Sequence, residues 1–356
     1  MARESLCIKI PKKQGEKIIV LANKLGLSDK ELAIQSDEEF VYVPLVRQPT
    51  EKETSRIHEQ ANELQLETRV LKERIHPEKT HMEALENQLP PNLLPSIPKA
   101  IDIIGDIAII EVPAELKAHE TLVGESILKT HKNVKTVLAK AGAISGTYRL
   151  RKANIIAGKQ KTATVHKEFG CQYQVDIAKA YFSPRLSHEH KRVASNVQEG
   201  ETIVDLFAGV GPFAVLIAKN HRTVKVYALD INPDAVELLE RNVRLNRVQS
   251  RVFPILGDAR QVVHDKLSGV ADHAIMNLPE NAIDFVDVAC EAVKPEGGLV
   301  HFYSFVRMPD SVDALKTRFT EAVENTGRKV ERFLFAKAVR ETAPYQWQIV
   351  LDAKII

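Results

Sequence analysis

The run Val204–Phe213, VDLFAGVGPF, decides the fold class. It starts as an apolar strand, meets Asp205, passes Gly209 and Gly211, and continues into a helical pattern from about Pro212 to Lys219. Glycines there let the backbone approach a ligand closely. The helix start adds free N–H groups and the positive end of a dipole. The same alternation extends outward. Apolar runs at Thr202–Leu206, Val224–Leu229, Val252–Leu256, His273–Met276, Leu299–Tyr303 and Trp347–Leu351 are separated by amphipathic helical stretches. That pattern predicts a parallel sheet with crossover helices. Val330–Phe335 and Tyr345–Val350 flank Ala343-Pro344 and predict a hairpin that adds an antiparallel last strand.

Four successive runs end in a polar residue: Asp205, Asp230 (in YALDINP), Asp258 (in PILGDAR) and Asn277 (in AIMNLPE). A carboxylate at Asp230 suits the two hydroxyls of a ribose, although alone it is equally well explained as a helix cap. An oxygen at Asp258 suits the exocyclic amine of adenine. A dinucleotide and S-adenosylmethionine both meet these requirements, and a glycine loop by itself does not separate them. Asn277-Leu278-Pro279 does. An asparagine held by a nearby proline at that strand end resembles the active-site motif of class I nucleic-acid and protein N-methyltransferases. There it orients a planar nitrogen nucleophile. The expected fold is therefore α/β, a Rossmann-like class I methyltransferase domain with a parallel sheet and an antiparallel last strand. The expected cofactor is S-adenosylmethionine, held by Asp205, Phe207, Gly209, Gly211, Asp230, Ile231, Asp258, Ala259, Asn277 and Pro279.

The rest of the chain divides by composition. Residues 5–46 predict a small α/β unit, with strands at Ser5–Ile10 and Glu39–Leu45 and a helix at Gly15–Leu25. Residues 50–88 turn rich in Glu, Lys, Gln and Arg. Ile57, Ala61, Leu64, Leu71 and Ile75 keep a helical stripe there that Pro77 breaks, so this segment reads as a charged helical linker. Pro90, Pro91, Pro95 and Pro98 punctuate the next entry. Ile101–Val112 predicts two strands around Gly105, Glu120–Lys129 a helix, and Val134–Leu138 and Thr162–Val165 further strands. The predicted organisation is a small first unit (1–48), a linker (49–90), a middle unit (91–178) and the cofactor domain (179–356).

With 44% hydrophobic and 27% charged residues the chain has the make-up of a soluble globular protein. Its net charge of +2 is too small to argue for a nucleic-acid partner, so any basic surface is local. Cys7, Cys171 and Cys290 are odd in number and lack CxxC spacing, which excludes a disulfide framework and a zinc site. No signal-peptide core and no long apolar run is found, so a cytoplasmic protein is expected.

The stretch His166–Ala194, HKEFGCQYQVDIAKAYFSPRLSHEHKRVA, is the most specific in the chain. Together with VDLFAGVGPF and MNLPENAIDF it closely resembles the archaeal and eukaryotic tRNA (guanine-37) N1-methyltransferases. The resemblance covers most of the chain and implies two smaller RNA-binding units before the catalytic domain. It implies Glu189 as the base that removes the N1 proton of guanine, and Arg149 as the cation that stabilises charge spreading to O6. Asn277 is the third catalytic candidate. It further implies that Tyr181 and His190 lie near the cofactor. These residue types suit the roles: Arg carries a permanent charge in a rigid fork, and Glu in a dry pocket gains proton affinity. His188, Glu189 and His190 lack a third ligand at metal spacing, so no metal is expected. The family commonly has a tyrosine before Ala-Pro, where this chain has Thr342-Ala343-Pro344.

Residues 129–168 hold ten Lys or Arg against one acid, Glu168, a credible phosphate track for a tRNA anticodon arm. By resemblance the first unit, with Lys9, Lys12 and Lys13, touches the outer corner of the tRNA. A monomer is expected. Competing readings are N-methylation of another RNA, of a protein amide or of a wybutosine-type guanosine intermediate, a catalytically silent RNA-binding protein, and a nicotinamide oxidoreductase.

Overall fold

A computed structural model describes residues 2–61, 63–73, 80–142, 146, 148, 150 and 152–356. The chain divides into two compact units, residues 1–79 and 80–356.

The first unit runs β1 (Ala2–Pro11), α1 (Lys12–Lys24), β2 (Gln35–Ser36), β3 (Phe40–Pro44), α2 (Glu51–His58) and β4 (Gln65–Lys72). Its antiparallel sheet has the order β2-β3-β1-β4. Ile18 and Ala22, one turn apart on α1, are buried with Ile8, Ile10 and Val43 of the sheet. α2 starts at a capping box, Thr50 with Glu53. The helical stripe expected beyond Ala61 is not formed. Gln65–Lys72 is instead an extended strand, paired with β1 from Ala2↔Lys72 to Lys9↔Gln65. The pairing satisfies the N–H and C=O groups along that edge of β1, an interaction that outweighs local helical spacing. Ile75 and Pro77 lie outside the described residues.

The second unit opens with α3 (His81–Leu85), β5 (Asp102–Ile104), β6 (Ile107–Ile110), α4 (Glu120–Thr130), β7 (Thr136–Lys140) and β8 (Ala153–Gly158). β5-β6-β7-β8 form one sheet, on which Val123 and Ile127 of α4 cover Val137 and Ile156. A hairpin follows, β9 (Ala163–Glu168) and β10 (Cys171–Asp176). Next come α5 (Ser187–Asn196), β11 (Thr202–Asp205), α6 (Pro212–Asn220), β12 (Lys225–Asp230), α7 (Pro233–Leu245), β13 (Val252–Leu256) and α8 (Ala259–Val262). The chain ends with β14 (His273–Met276), α9 (Val286–Ala292), β15 (Gly298–Arg307), α10 (Val312–Glu324), β16 (Val330–Ala343) and β17 (Gln346–Ile355).

The large sheet has the order β13-β12-β11-β14-β15-β17-β16. The first five strands are parallel, and β17 is antiparallel between β15 and β16. Successive strand residues point to opposite faces, and both faces are covered. Ile203, Tyr303 and Val350 belong to one core, Val204, Phe302 and Leu351 to the other. That double burial is why these strands read as unbroken apolar runs.

The β9–β10 hairpin, which composition groups with the middle unit, shares its core with this sheet. Cys171, Tyr173 and Val175 alternate onto one face and are buried beside Phe213 and Leu239. Two buried asparagines of the α7 region hold its edge: the Gln174 N–H donates to Asn242 Oδ1 at 2.6 Å and the Gln172 N–H to Asn246 Oδ1 at 2.9 Å.

Candidate active site

The strand order reverses between β11 and β14, and a crevice opens at their carboxyl ends, where ligands bind in open α/β sheets. A cavity of about 540 Å³ lies there. Tyr181, Phe207, Gly209, Asp230, Ile231, Asp258, Ala259, Asn277 and Pro279 all line it. Asp205, Gly211, Glu189 and His190 do not. Arg149 lies outside the described residues, but Tyr148 and Leu150 on either side of it line the cavity. A larger groove of about 900 Å³ between the β9–β10 hairpin and α7 is charge-neutralised by the pairs Lys161–Asp106, Lys179–Asp234 and Arg241–Glu237.

Gly209 adopts a positive φ of 55°, and its N–H donates to Asp230 Oδ2 at 2.7 Å. The Asn232 N–H donates to Asp230 Oδ1 at 2.9 Å. Burial pushes the Asp230 carboxyl up, against these backbone donors. Its remaining lone pairs are free for ligand hydroxyls. Asp258 caps α8 through the Arg260 N–H, at 2.9 Å. Phe207 meets Phe285 edge to face, with 5.1 Å between ring centroids, as an apolar wall. The Asn277 loop is fixed by two backbone bonds: the Asn281 N–H donates to Leu278 O and the Phe305 N–H to Pro279 O, both at 3.0 Å.

Gly211 acts in packing. It starts α6 at φ 86°, and a Cβ there would stand 2.2 Å from Leu239 Cδ1. His190 is fully buried, its Nδ1 is 2.6 Å from Glu168 Oε1, and its ring packs edge-on against Phe213. Although burial opposes it, His166 and His190 hold the Glu168 carboxyl at about 2.

Glu189, on α5, faces inward beneath the sheet. Its carboxylate accepts from Tyr303 Oη at 2.8 Å and from Arg192 Nε at 3.0 Å. Arg192 also pairs with Asp352, His301 Nδ1 lies 2.8 Å from Asp352, and His273 lies 3.0 Å from His301. Although burial opposes it, His301 and Arg192 hold Asp352 below the usual carboxylate range. Of these, His301, Tyr303 and Asp352 sit inside apolar strand runs, HFYSF and IVLDA, which is the one sequence signal that marks them.

Asp205 is fully buried, and neither carboxyl oxygen has a hydrogen-bond partner among the described residues. Burial pushes it up to about 8. A carboxyl raised in the folded state favours folding while protonated in both states, and loses that advantage once the unfolded chain ionises near 4. Asp205→Asn removes this dependence. Its melting temperature relative to the unsubstituted protein is expected to rise steadily from about pH 4 to pH 8. A constant difference across that range in thermal melts sinks the assignment.

Gln348 and Arg340 also line the cavity and escaped the motif reading, although a glutamine inside the apolar run WQIVL is a visible anomaly. Among the described residues no group of three or more His, Cys, Asp or Glu converges for a metal. No helix is long and apolar enough to cross a membrane among them either.

The sheet order, the inserted antiparallel strand and the polar strand ends define a class I methyltransferase domain. Its relatives are specific. The TRM5/TYW2 methyltransferase domain matches residues 164–331, a range that starts within the β9–β10 hairpin. The TYW2 N-terminal domain matches 82–162 and the tRNA methyltransferase 5 N-terminal domain matches 7–53. The tRNA (guanine(37)-N(1))-methyltransferase Trm5b of Pyrococcus abyssi is 37% identical over 99% of both chains. The chain belongs to the TRM5/TYW2 methyltransferase family. The crystal structure of Pyrococcus abyssi Trm5b superposes with a TM-score of 0.80 at 36% identity, over 99% of each chain. A complex of aTrm5 with tRNALeu gives 0.77 at 31% identity, over 98% of this chain and 99% of the other. Methanocaldococcus jannaschii TYW2 in complex with AdoMet gives 0.56 at 30% identity, over 72% of this chain and 99% of the other.

Proposed function

We propose that this chain transfers a methyl group from S-adenosylmethionine to N1 of guanine 37 in tRNA, giving 1-methylguanosine. The carrying observation is that Asn277-Leu278-Pro279, at the end of β14, opens onto the same cavity as Asp230, Asp258 and Gly209. The full-length likeness to a tRNA (guanine(37)-N(1))-methyltransferase supports the choice of base.

The residues present fit the cofactor. Asp230 retains acceptors for ribose hydroxyls, and Asp258 has an oxygen left for the adenine amine. Phe207, Ile231 and Ala259 supply apolar walls, and Gly209 adds no side chain to crowd the loop. Bound there, S-adenosylmethionine supplies an electrophilic methyl group. The chain supplies alignment, which is the main lever for an in-line displacement.

Guanine N1 carries a proton, so a base must take it as the new bond forms. That role falls to Glu189, three residues and about one helical turn beyond cavity-lining Leu186. Its carboxylate serves the reacting base on exchanging its contacts with Arg192 and Tyr303. Arg149, between cavity-lining Tyr148 and Leu150, is the proposed cation for O6. The target base leaves its stack to enter. The basic segment 129–168 tracks the anticodon arm, and the first unit reads the outer corner through Lys9, Lys12 and Lys13. The proposed enzyme works as a monomer in the cytoplasm.

Purified protein, S-adenosylmethionine and tRNA transcripts carrying guanine or adenine at position 37 test this reading. Mass analysis of the nucleosides is expected to find 1-methylguanosine from the guanine transcript only. Methylation of both transcripts, or a different methylated nucleoside, overturns it.

A further inference from the structure

A chain of hydrogen bonds ends on Asn277. Arg340 of β16 and Gln348 of β17 are direct cross-strand partners, so their side chains share one face of the sheet. Arg340 Nε donates to Gln348 Oε1 at 2.9 Å, and Gln348 Nε2 donates to Asn277 Oδ1 at 3.3 Å. Arg340 is anchored on its other side as well. One terminal nitrogen donates to Ser183 Oγ at 2.7 Å and the other to Tyr181 Oη at 3.2 Å. Gln348 is only 1% exposed, so water does not compete for its amide.

The donor inventory alone fixes the direction of this chain. A guanidinium has no acceptor, so Gln348 must turn its oxygen to Arg340 and its NH₂ to Asn277. Asn277 must then answer with its oxygen, which leaves its own NH₂ for the cavity. We infer that Arg340 and Gln348 are positioning residues that lock the Asn277 amide as a donor. Resting on the guanine reading above, the lock selects a base with a carbonyl oxygen beside the nitrogen to be methylated. Guanine offers O6 next to N1–H, whereas adenine offers an amino group next to a bare N1. As N1 gives up its proton, charge spreads to O6, and a donor already aimed there needs no reorganisation.

Gln348→Glu tests the lock. Glutamate keeps the shape and still accepts from Arg340, but it offers Asn277 no donor and draws the Asn277 NH₂ away from the cavity. On guanine-37 transcripts kcat is expected to fall about 10²-fold, with KM for tRNA and the affinity for S-adenosylmethionine changed by about twofold or less. In an Asn277→Ala background the same change is expected to cost about twofold or less, because the residue it acts through is gone. Arg340→Met, at a less buried position, frees Gln348 to rotate and is expected to lower kcat about tenfold. Should Gln348→Glu lose cofactor binding, this second variant decides, and an unchanged kcat in it overturns the inference. Unchanged kcat in a well-folded Gln348→Glu, or an equal loss with and without Asn277, does the same while 1-methylguanosine is still made. Unsubstituted enzyme that makes a different methylated nucleoside overturns the guanine reading and the inference with it.

Discussion

Replacing Asn277 by alanine is expected to lower kcat about 10²–10³-fold, equivalent to roughly 3–4 kcal/mol of transition-state stabilisation. The side chain stands at the end of β14, in a loop pinned by the Asn281 and Phe305 N–H groups and turned by Gln348. Those bonds hold it independently of substrate, so its contribution is made ready before the reaction. The tRNA is proposed to be gripped elsewhere, by the basic segment and the first unit, so KM for tRNA is expected to change little. Steady-state kinetics on guanine-37 transcripts check this. A loss confined to KM, with kcat intact, assigns Asn277 to binding and removes it from the chemistry.

Glu189→Gln is the second large effect, with kcat expected to fall about 10²-fold or more, since a neutral amide takes no proton. The fold is expected to survive the change. Arg192 keeps Asp352 as a partner, and Asp352 keeps His301, so no charge is left uncompensated beneath the sheet. Glutamine retains an oxygen for the Tyr303 hydroxyl. Single-turnover rates and thermal melts of the same variant separate the two possible roles. Lost turnover with a melting temperature near that of the unsubstituted protein supports the base. A lowered melting temperature with turnover intact makes Glu189 an anchor for Arg192 and moves the proton acceptor to a residue that lines the cavity.

The crevice at the strand ends was legible because its elements are local. Each apolar run ends where its strand meets the crevice, so Asp230, Asp258 and Asn277 mark the crevice in sequence order. Gly211 misled the motif reading. A glycine two residues from Gly209 looks like part of the same loop, but the need for it comes from Leu239 on α7, which stands where its Cβ would be. β4 misled the periodicity reading, because Ile57, Ala61 and Leu64 set a helical spacing that the free edge of β1 then overrides. Glu189 reads as a solvated residue in a polar helix. Tyr303, its partner, lies 114 positions away, and Asp352, the partner of Arg192, lies 160 positions from Arg192, so nothing local joins those strand residues to the helix.

By itself the amino-acid order determined the parallel sheet, its antiparallel last strand and the residues at the strand ends, because double burial and strand termination are written in hydrophobicity within a few positions. Tertiary structure alone decided which polar groups meet. It turned Glu189 toward Arg192, gave Asn277 its orientation through Gln348 and Arg340, and enclosed Asp205 without a partner. The physical reason is that a hydrogen bond depends on distance and direction in space, and those are set by strands that pair only once the sheet has closed.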